Sequence, residues 1–190
     1  MMHPQLATVA QELSDATAQA EALARPLDEP RFRARPSPVK WSVGECLMHL
    51  NLSSIALLAK IDAALDRSPA ADQDLSRRYR RDMLGWFLCR SLEPPARVAR
   101  FTTIPSFVPV VGTGTKQQVL AEFARLQAEI KRRLDEASGR DLNHLKITSP
   151  FNERLSYNVY SAFRVVPVHQ RRHLWQAEQV LASAAHGALA

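Results

Sequence analysis

Apolar residues recur at three- and four-residue steps from the start of the chain: Leu6, Val9, Leu13, Ala16, Ala20 and Leu23, with Gln11, Glu12 and Asp15 between them. At the 3.6-residue period these apolar positions share one face, which predicts an amphipathic helix. Pro26, Pro30, Pro36 and Pro38 then argue against continued helix before Trp41. A second helix opens at Ser42-Val43-Gly44-Glu45. There the serine hydroxyl and the glutamate carboxylate are spaced to satisfy free backbone amides as a capping box. It is expected to reach about Asp66, with Leu47, Leu50, Leu57, Ile61 and Leu65 as its stripe.

The stretch 67–114 is less regular. Asp82 to Leu92 reads as a short helix, with Met83, Trp86, Phe87 and Arg90 at helical spacing and Pro94-Pro95 ending it. Ala96 to Gly114 reads as a long connection containing proline and valine. Connections of that length in compact domains are often functional, so this one is a candidate lid or wall for a site. A third long helix opens at Thr115-Lys116-Gln117-Gln118, buries Val119, Phe123, Leu126, Ile130 and Leu134, and is stopped by Gly139. The fourth is expected from about Glu153 to Ala184, kinked at Pro167, whose missing N–H leaves the Phe163 carbonyl without its helical donor. No strand pattern and no internal repeat is evident. Four long amphipathic helices on connections of unequal length predict an all-α helical bundle forming a single domain over residues 1–190.

Composition narrows the class. Hydrophobic residues are 46% and charged residues 23% of the 190, a globular balance. The two cysteines, Cys46 and Cys89, sit in apolar, helix-like contexts and read as reduced core thiols. No apolar run approaches the roughly 18 to 20 residues that span a bilayer, and the N-terminus has no secretory signal pattern. A cytoplasmic protein without a membrane partner is therefore expected. The formal net charge of +6 is concentrated in Arg77-Arg78-Tyr79-Arg80-Arg81 and in Arg31, Arg33 and Arg35. A basic stripe with an interleaved tyrosine can track phosphates, but no reading motif accompanies it. Nucleic acid is not the expected partner; an acidic small molecule accounts for the arginines equally well.

Three of the six histidines carry candidate chemistry. His169 and His173 stand four apart on the fourth helix, one turn apart on one face, a spacing that offers two imidazoles to one metal but also arises by chance. His49, two turns into the second helix, groups with Glu45, Ser53, Ala56 and Lys60 rather than with the leucine stripe. Periodicity alone therefore allows a solvated residue there as readily as a ligand. Metal-bound imidazoles donate their second N–H to a carboxylate or carbonyl, and Glu45 and Gln176 are candidates for that support. For Glu45 the capping role competes. Cys46 reads as core rather than ligand. His3 and His186, near the termini, are expected to be exposed, and His144 lies in a loop. Trp86, Phe87 and Trp175 read as core or interface residues, with Trp175 off the inward face. No phosphate-binding glycine loop, nucleophile elbow or Ser/His/Asp arrangement is recognisable.

The run Trp41-Ser42-Val43-Gly44-Glu45-Cys46-Leu47-Met48-His49-Leu50 resembles the second-helix signature of the DinB/YfiT-like superfamily. His169-Gln170-Arg171-Arg172-His173-Leu174-Trp175-Gln176 resembles its C-terminal His-x-x-x-His-x-x-Gln helix, and Pro150-Phe151 followed by Leu155-Ser156 also fits. The resemblance runs from the first helix to about Leu181, with 67–114 unmatched. It implies an antiparallel four-helix bundle of up-down-down-up type and one divalent metal ion, nickel or zinc, held by His49, His169 and His173. Three imidazoles leave coordination positions open, as catalytic sites do. The family includes members resembling hydrolases and members that transfer low-molecular-weight thiols such as bacillithiol, mycothiol or glutathione. A metal-dependent small-molecule hydrolase or thiol transferase is thus implied, with Arg90, Arg164 and Arg172 as candidates for a thiol cofactor's carboxylates. The alternative is a non-catalytic stress-response or binding protein on the same bundle. A homodimer is a further expectation, from Trp175.

Overall fold

The computed structural model describes residues 1–68, 74–95, 103–110 and 112–187, with side chains through residue 183. The described residues are mostly helical. Helix α1 spans Pro4–Ala24, α2 Glu29–Arg33, α3 Val43–Asp66, α4 Met83–Leu92, α5 Lys116–Glu136 and α6 Val159–Gly187. A 3-10 turn occupies Pro105–Phe107, and strands β1 (Lys146–Thr148) and β2 (Ser156–Asn158) form an antiparallel pair. Helix α3 packs against α5 and α6, and α1 against the same two, so the four long helices bury their stripes on one another.

The periodic positions become the core. Leu6, Val9 and Leu13 of α1 meet Leu57, Ile61 and Leu65 of α3, Leu126, Ile130 and Leu134 of α5, and Phe163 and Val166 of α6. Towards the other end of α1, Ala16, Ala20 and Ala24 pack with Phe32, Cys46, Leu47, Leu50, Phe123 and Leu174. Cys46 and Cys89 are free, buried thiols, as expected. Between α5 and α6, Gln127 and Gln170 exchange two amide hydrogen bonds of 3.0 Å, satisfying two buried polar side chains at once.

Both capping boxes form, at Ser42/Glu45 and Thr115/Gln118. Gly139 follows α5 with φ of 83°, a left-handed conformation glycine adopts without a Cβ penalty. Four expectations need correction. A one-turn helix, α2, forms among the prolines because Pro30 sits in its first turn, where a missing N–H costs nothing, and Asp28 caps it. The β1–β2 pair exists where no strand was evident; each strand has three residues, too few for alternation to register. Helix α6 begins at Val159 rather than Glu153, because 156–158 is committed to β2 and the Asn158 side chain accepts the Ser161 N–H at 2.8 Å as a cap. The chain then remains helical through Pro167.

His3 is the fourth. It is 4% exposed rather than solvated. Its Nδ1 accepts the Gln5 N–H at 3.1 Å, capping α1, its Nε2 donates to the Arg77 carbonyl at 3.0 Å, and its ring lies 4.3 Å from that of Tyr79. Tyr79 is itself buried, so the ring that interrupts the Arg77–Arg81 basic run faces the core and offers no stacking surface. The side chain of His186 lies outside the described residues, and His144 is exposed beside Asp141 at 2.9 Å.

Helix α4 is pinned to α6 by polar bonds at its start. Asp82 caps α4 through the Gly85 N–H at 2.9 Å, accepts the Ser161 hydroxyl at 3.0 Å, and accepts the Asn158 N–H at 2.8 Å. Gly85 permits the approach: a Cβ there would stand 2.0 Å from the Ser161 Oγ. Cys89 then packs on Val165 and Val168. Met83, Trp86 and Phe87 form the outer, exposed face of α4. Among the described residues, α3 alone has the length and composition to cross a membrane, at a mean hydropathy of 1.2, and more than half of that window is buried inside the fold.

Candidate metal centre

Helix α6 presents His169 and His173 one turn apart, and α3 brings His49 to meet them. One ring nitrogen from each lies within 4.8 Å of the others. The ring centroids are 4.4 Å apart for His49 and His173, 4.7 Å for His169 and His173, and 5.1 Å for His49 and His169. His49 and His173 are buried and His169 partly so. His49 thus joins the site although it lies off the leucine stripe: the polar face of α3 that carries His49 and Ser53 faces the interior at this level.

The hydrogen bonds decide which nitrogens are free. His49 Nδ1 donates to the Phe107 carbonyl at 2.8 Å, which leaves Nε2 with its lone pair turned to the other histidines. His173 Nδ1 donates to Gln176 Oε1 at 3.1 Å, with the same consequence. A carbonyl or amide oxygen behind a ligating imidazole is the usual second contact of a metal-bound histidine. Glu45 takes no part in this; its carboxylate closes the capping box with Ser42 at 2.9 Å and accepts Arg35 Nε at 2.9 Å. The support for His49 comes instead from the turn at Phe107, which no periodicity in the sequence announces.

His49 Nε2 and His169 Nε2 are 3.2 Å apart. Zinc–nitrogen bonds of about 2.0–2.1 Å in a tetrahedral arrangement place ligand atoms roughly 3.3–3.4 Å apart, so this pair already has the spacing of two ligands on one ion. Burial lowers the pKa of each ring. In His169, to which the nearby His49 and Arg172 charges add, it falls to about 3, and in His173 well below its ordinary value. In His49 burial outweighs the opposing Phe107 bond. All three are neutral imidazoles at pH 7, and no proton competes with a metal for their lone pairs.

The three rings open on a cavity of about 510 Å³. Trp41, 5.0 Å from the His49 ring and 5.8 Å from that of His173, forms one side. Phe107 and Phe151, 4.8 Å apart, form another. Leu88 and Leu92 of α4 also line it, as do Thr103 and Ile104 of the 96–114 connection, which was expected to wall a site. Residues 96–102 and 111 of that connection lie outside the described residues. Tyr157 also lines the cavity; burial pushes its hydroxyl up to about 12, so it is a neutral group.

Of the three candidate arginines, only Arg172 lines the cavity. Arg164 pairs with Glu12 at 2.8 Å, and Arg90 is exposed on α4. Cys46 is fully buried among apolar neighbours and not among the clustered ligands.

Fold and site together define a mostly helical protein with a three-histidine cluster that can hold one metal ion. The family model described as the DinB superfamily matches residues 12–177, and the chain belongs to that superfamily. No curated protein and no solved structure matches it.

Proposed function

We propose that this chain is a metal-dependent enzyme acting on a small molecule, with one divalent ion, zinc or nickel, held by His49, His169 and His173. The observation that carries this reading is the convergence of three neutral imidazoles on the wall of a largely apolar cavity. A structural metal would be enclosed by four protein ligands, whereas three beside an open cavity leave room for substrate. When bound, such an ion polarises a substrate oxygen and favours the deprotonated form of a coordinated water or thiol near neutral pH.

The chain's own residues do the rest. The Phe107 carbonyl and Gln176 fix the tautomers of His49 and His173. Trp41, Phe107, Phe151 and Leu88 line the cavity beside the imidazoles with apolar surface, an environment of low dielectric in which electrostatic contacts are stronger than in water. Hydrolysis of a small substrate and transfer of a low-molecular-weight thiol are the two reactions in keeping with this arrangement. We read the four long helices as the up-down-down-up bundle of the family, in a single cytoplasmic domain. Trp175, 37% exposed on α6, is the residue on which we would place a homodimer contact. A non-catalytic binding protein is the second reading; the cavity at the imidazoles favours the enzyme.

The test is the metal content of untagged protein purified without chelator, wild type against His169→Ala. About one ion per chain, lost in the variant, is the expected outcome. No ion, and no rise in thermal stability on adding zinc or nickel, would overturn the reading.

A further inference from the structure

The cavity carries one fixed charge among its described lining residues, and that charge is unanswered. Among the described residues, Arg172 is the only lysine, arginine, aspartate or glutamate lining it. Its Nη1 is shut off from solvent and has no hydrogen-bond partner. The other arginines of α6 are different: Arg164 pairs with Glu12 at 2.8 Å, and Arg171 with Glu12 and Glu93, each at 3.0 Å. Those two tie elements together. A half-buried guanidinium without an acceptor costs free energy, because desolvation weakens its hydration and nothing replaces it. The fold therefore holds a cation at this place without using it.

Position explains what the cation is for. Arg172 lies three residues after His169 and immediately before His173, so its head and the clustered imidazoles open on the same cavity. The remaining walls are mostly apolar, with Thr103, Ser149, Asn152, Tyr157 and Gln176 as uncharged polar groups. One planar guanidinium matches one carboxylate through two parallel N–H bonds, whereas a phosphate dianion calls for more donors or a second cation, and among the described residues no second cation lines the cavity.

Resting on the metal-enzyme reading, we propose that Arg172 anchors the substrate's anionic group. The site then takes small organic monocarboxylates with an apolar or aromatic body, their acid on Arg172 and their reacting end at the three histidines. Arg172 is on this view the residue that makes the site select acids over their neutral analogues.

The test uses phenylacetate and its neutral amide, phenylacetamide, as probes. Their binding is measured by calorimetry on chelator-treated protein, so that no metal can capture the carboxylate. The wild type is expected to bind phenylacetate about tenfold or more tighter than the amide, the range of a charge-assisted bond. Arg172→Gln should abolish that preference while leaving amide affinity within about twofold, and Arg172→Lys should keep part of it. The thermal midpoint of Arg172→Gln should not fall, since no partner is lost. Absent phenylacetate binding, equal affinity for the two probes, or a preference that survives Arg172→Gln would overturn the proposal. Zinc stoichiometry, measured separately on the same proteins, tells the two ideas apart. Zinc bound without a carboxylate preference removes this inference alone. A preference without zinc removes the metal-enzyme reading and leaves Arg172 as an acid-binding residue.

Discussion

The carbonyl oxygen of Phe107 stands 2.8 Å from Nδ1 of His49, across 58 positions of sequence. A backbone group on the connection after α4 thereby sets the tautomer of the histidine on α3. The Phe107 ring, packed 4.8 Å from Phe151, seats the turn that delivers this oxygen. Phe107→Ala should weaken zinc binding by about 10–100-fold without abolishing it, in a titration against a competing chelator. His49→Ala should abolish it. Unchanged affinity in Phe107→Ala would mean that the ring does not hold the carbonyl in place.

Gln127 and Gln170 satisfy each other between α5 and α6. Removing one strands the other in the core, so Gln170→Leu alone should cost about 1–3 kcal/mol in urea denaturation. The double variant Gln127→Leu/Gln170→Leu should cost less than either single change. Simple additivity of the two would show that the pair acts independently.

Gly85 lets α4 lie close on α6, where a Cβ would meet the Ser161 side chain at 2.0 Å. Gly85→Ala should destabilise by about 1–3 kcal/mol through overpacking. Because α4 supplies Leu88 and Leu92 to the cavity wall, probe binding in the cavity should weaken with it. A variant as stable as wild type would show that Ser161 can move aside freely.

Burial disfavours the Glu45 carboxylate, but bonds from Arg35 and Ser42 outweigh it and hold its pKa below the ordinary value. A carboxyl group lowered on folding stabilises the protein above its unfolded pKa of about 4.3, and that contribution is lost as pH falls through the folded value. Glu45→Ala should cost about 1–2 kcal/mol at pH 7, the range for a lost cap. The gap to wild type should narrow as pH drops below about 4. A gap that widens in acid would contradict this assignment.

Burial pushes the Cys46 thiol up to about 12 and raises Cys89 as well. Neither should react with a disulfide reagent in native protein near pH 8, and both should react in denaturant. Rapid labelling of one thiol in the native state would place it nearer the surface than its burial indicates.

The four long helices were legible in the chain because their cause is local. Apolar residues at the helical period, capping boxes at Ser42 and Thr115, and a glycine stop at Gly139 act over a few neighbouring residues. The His169–His173 pair was legible for the same reason, since four residues on a helix always make one turn. His49 was not. A polar helix face reads alike whether it meets water or a cavity, and only a motif resemblance set His49 beside the other two. The short strands β1 and β2, the burial of His3 against Tyr79 and the Phe107 carbonyl behind His49 left no periodic trace either. The three arginines of α6 look equivalent in sequence, yet two have glutamates waiting on α1 or just beyond α4 and the third has none. Which charge is answered depends on what distant segments bring within about 4 Å, the reach of an ion pair, and only packing decides that.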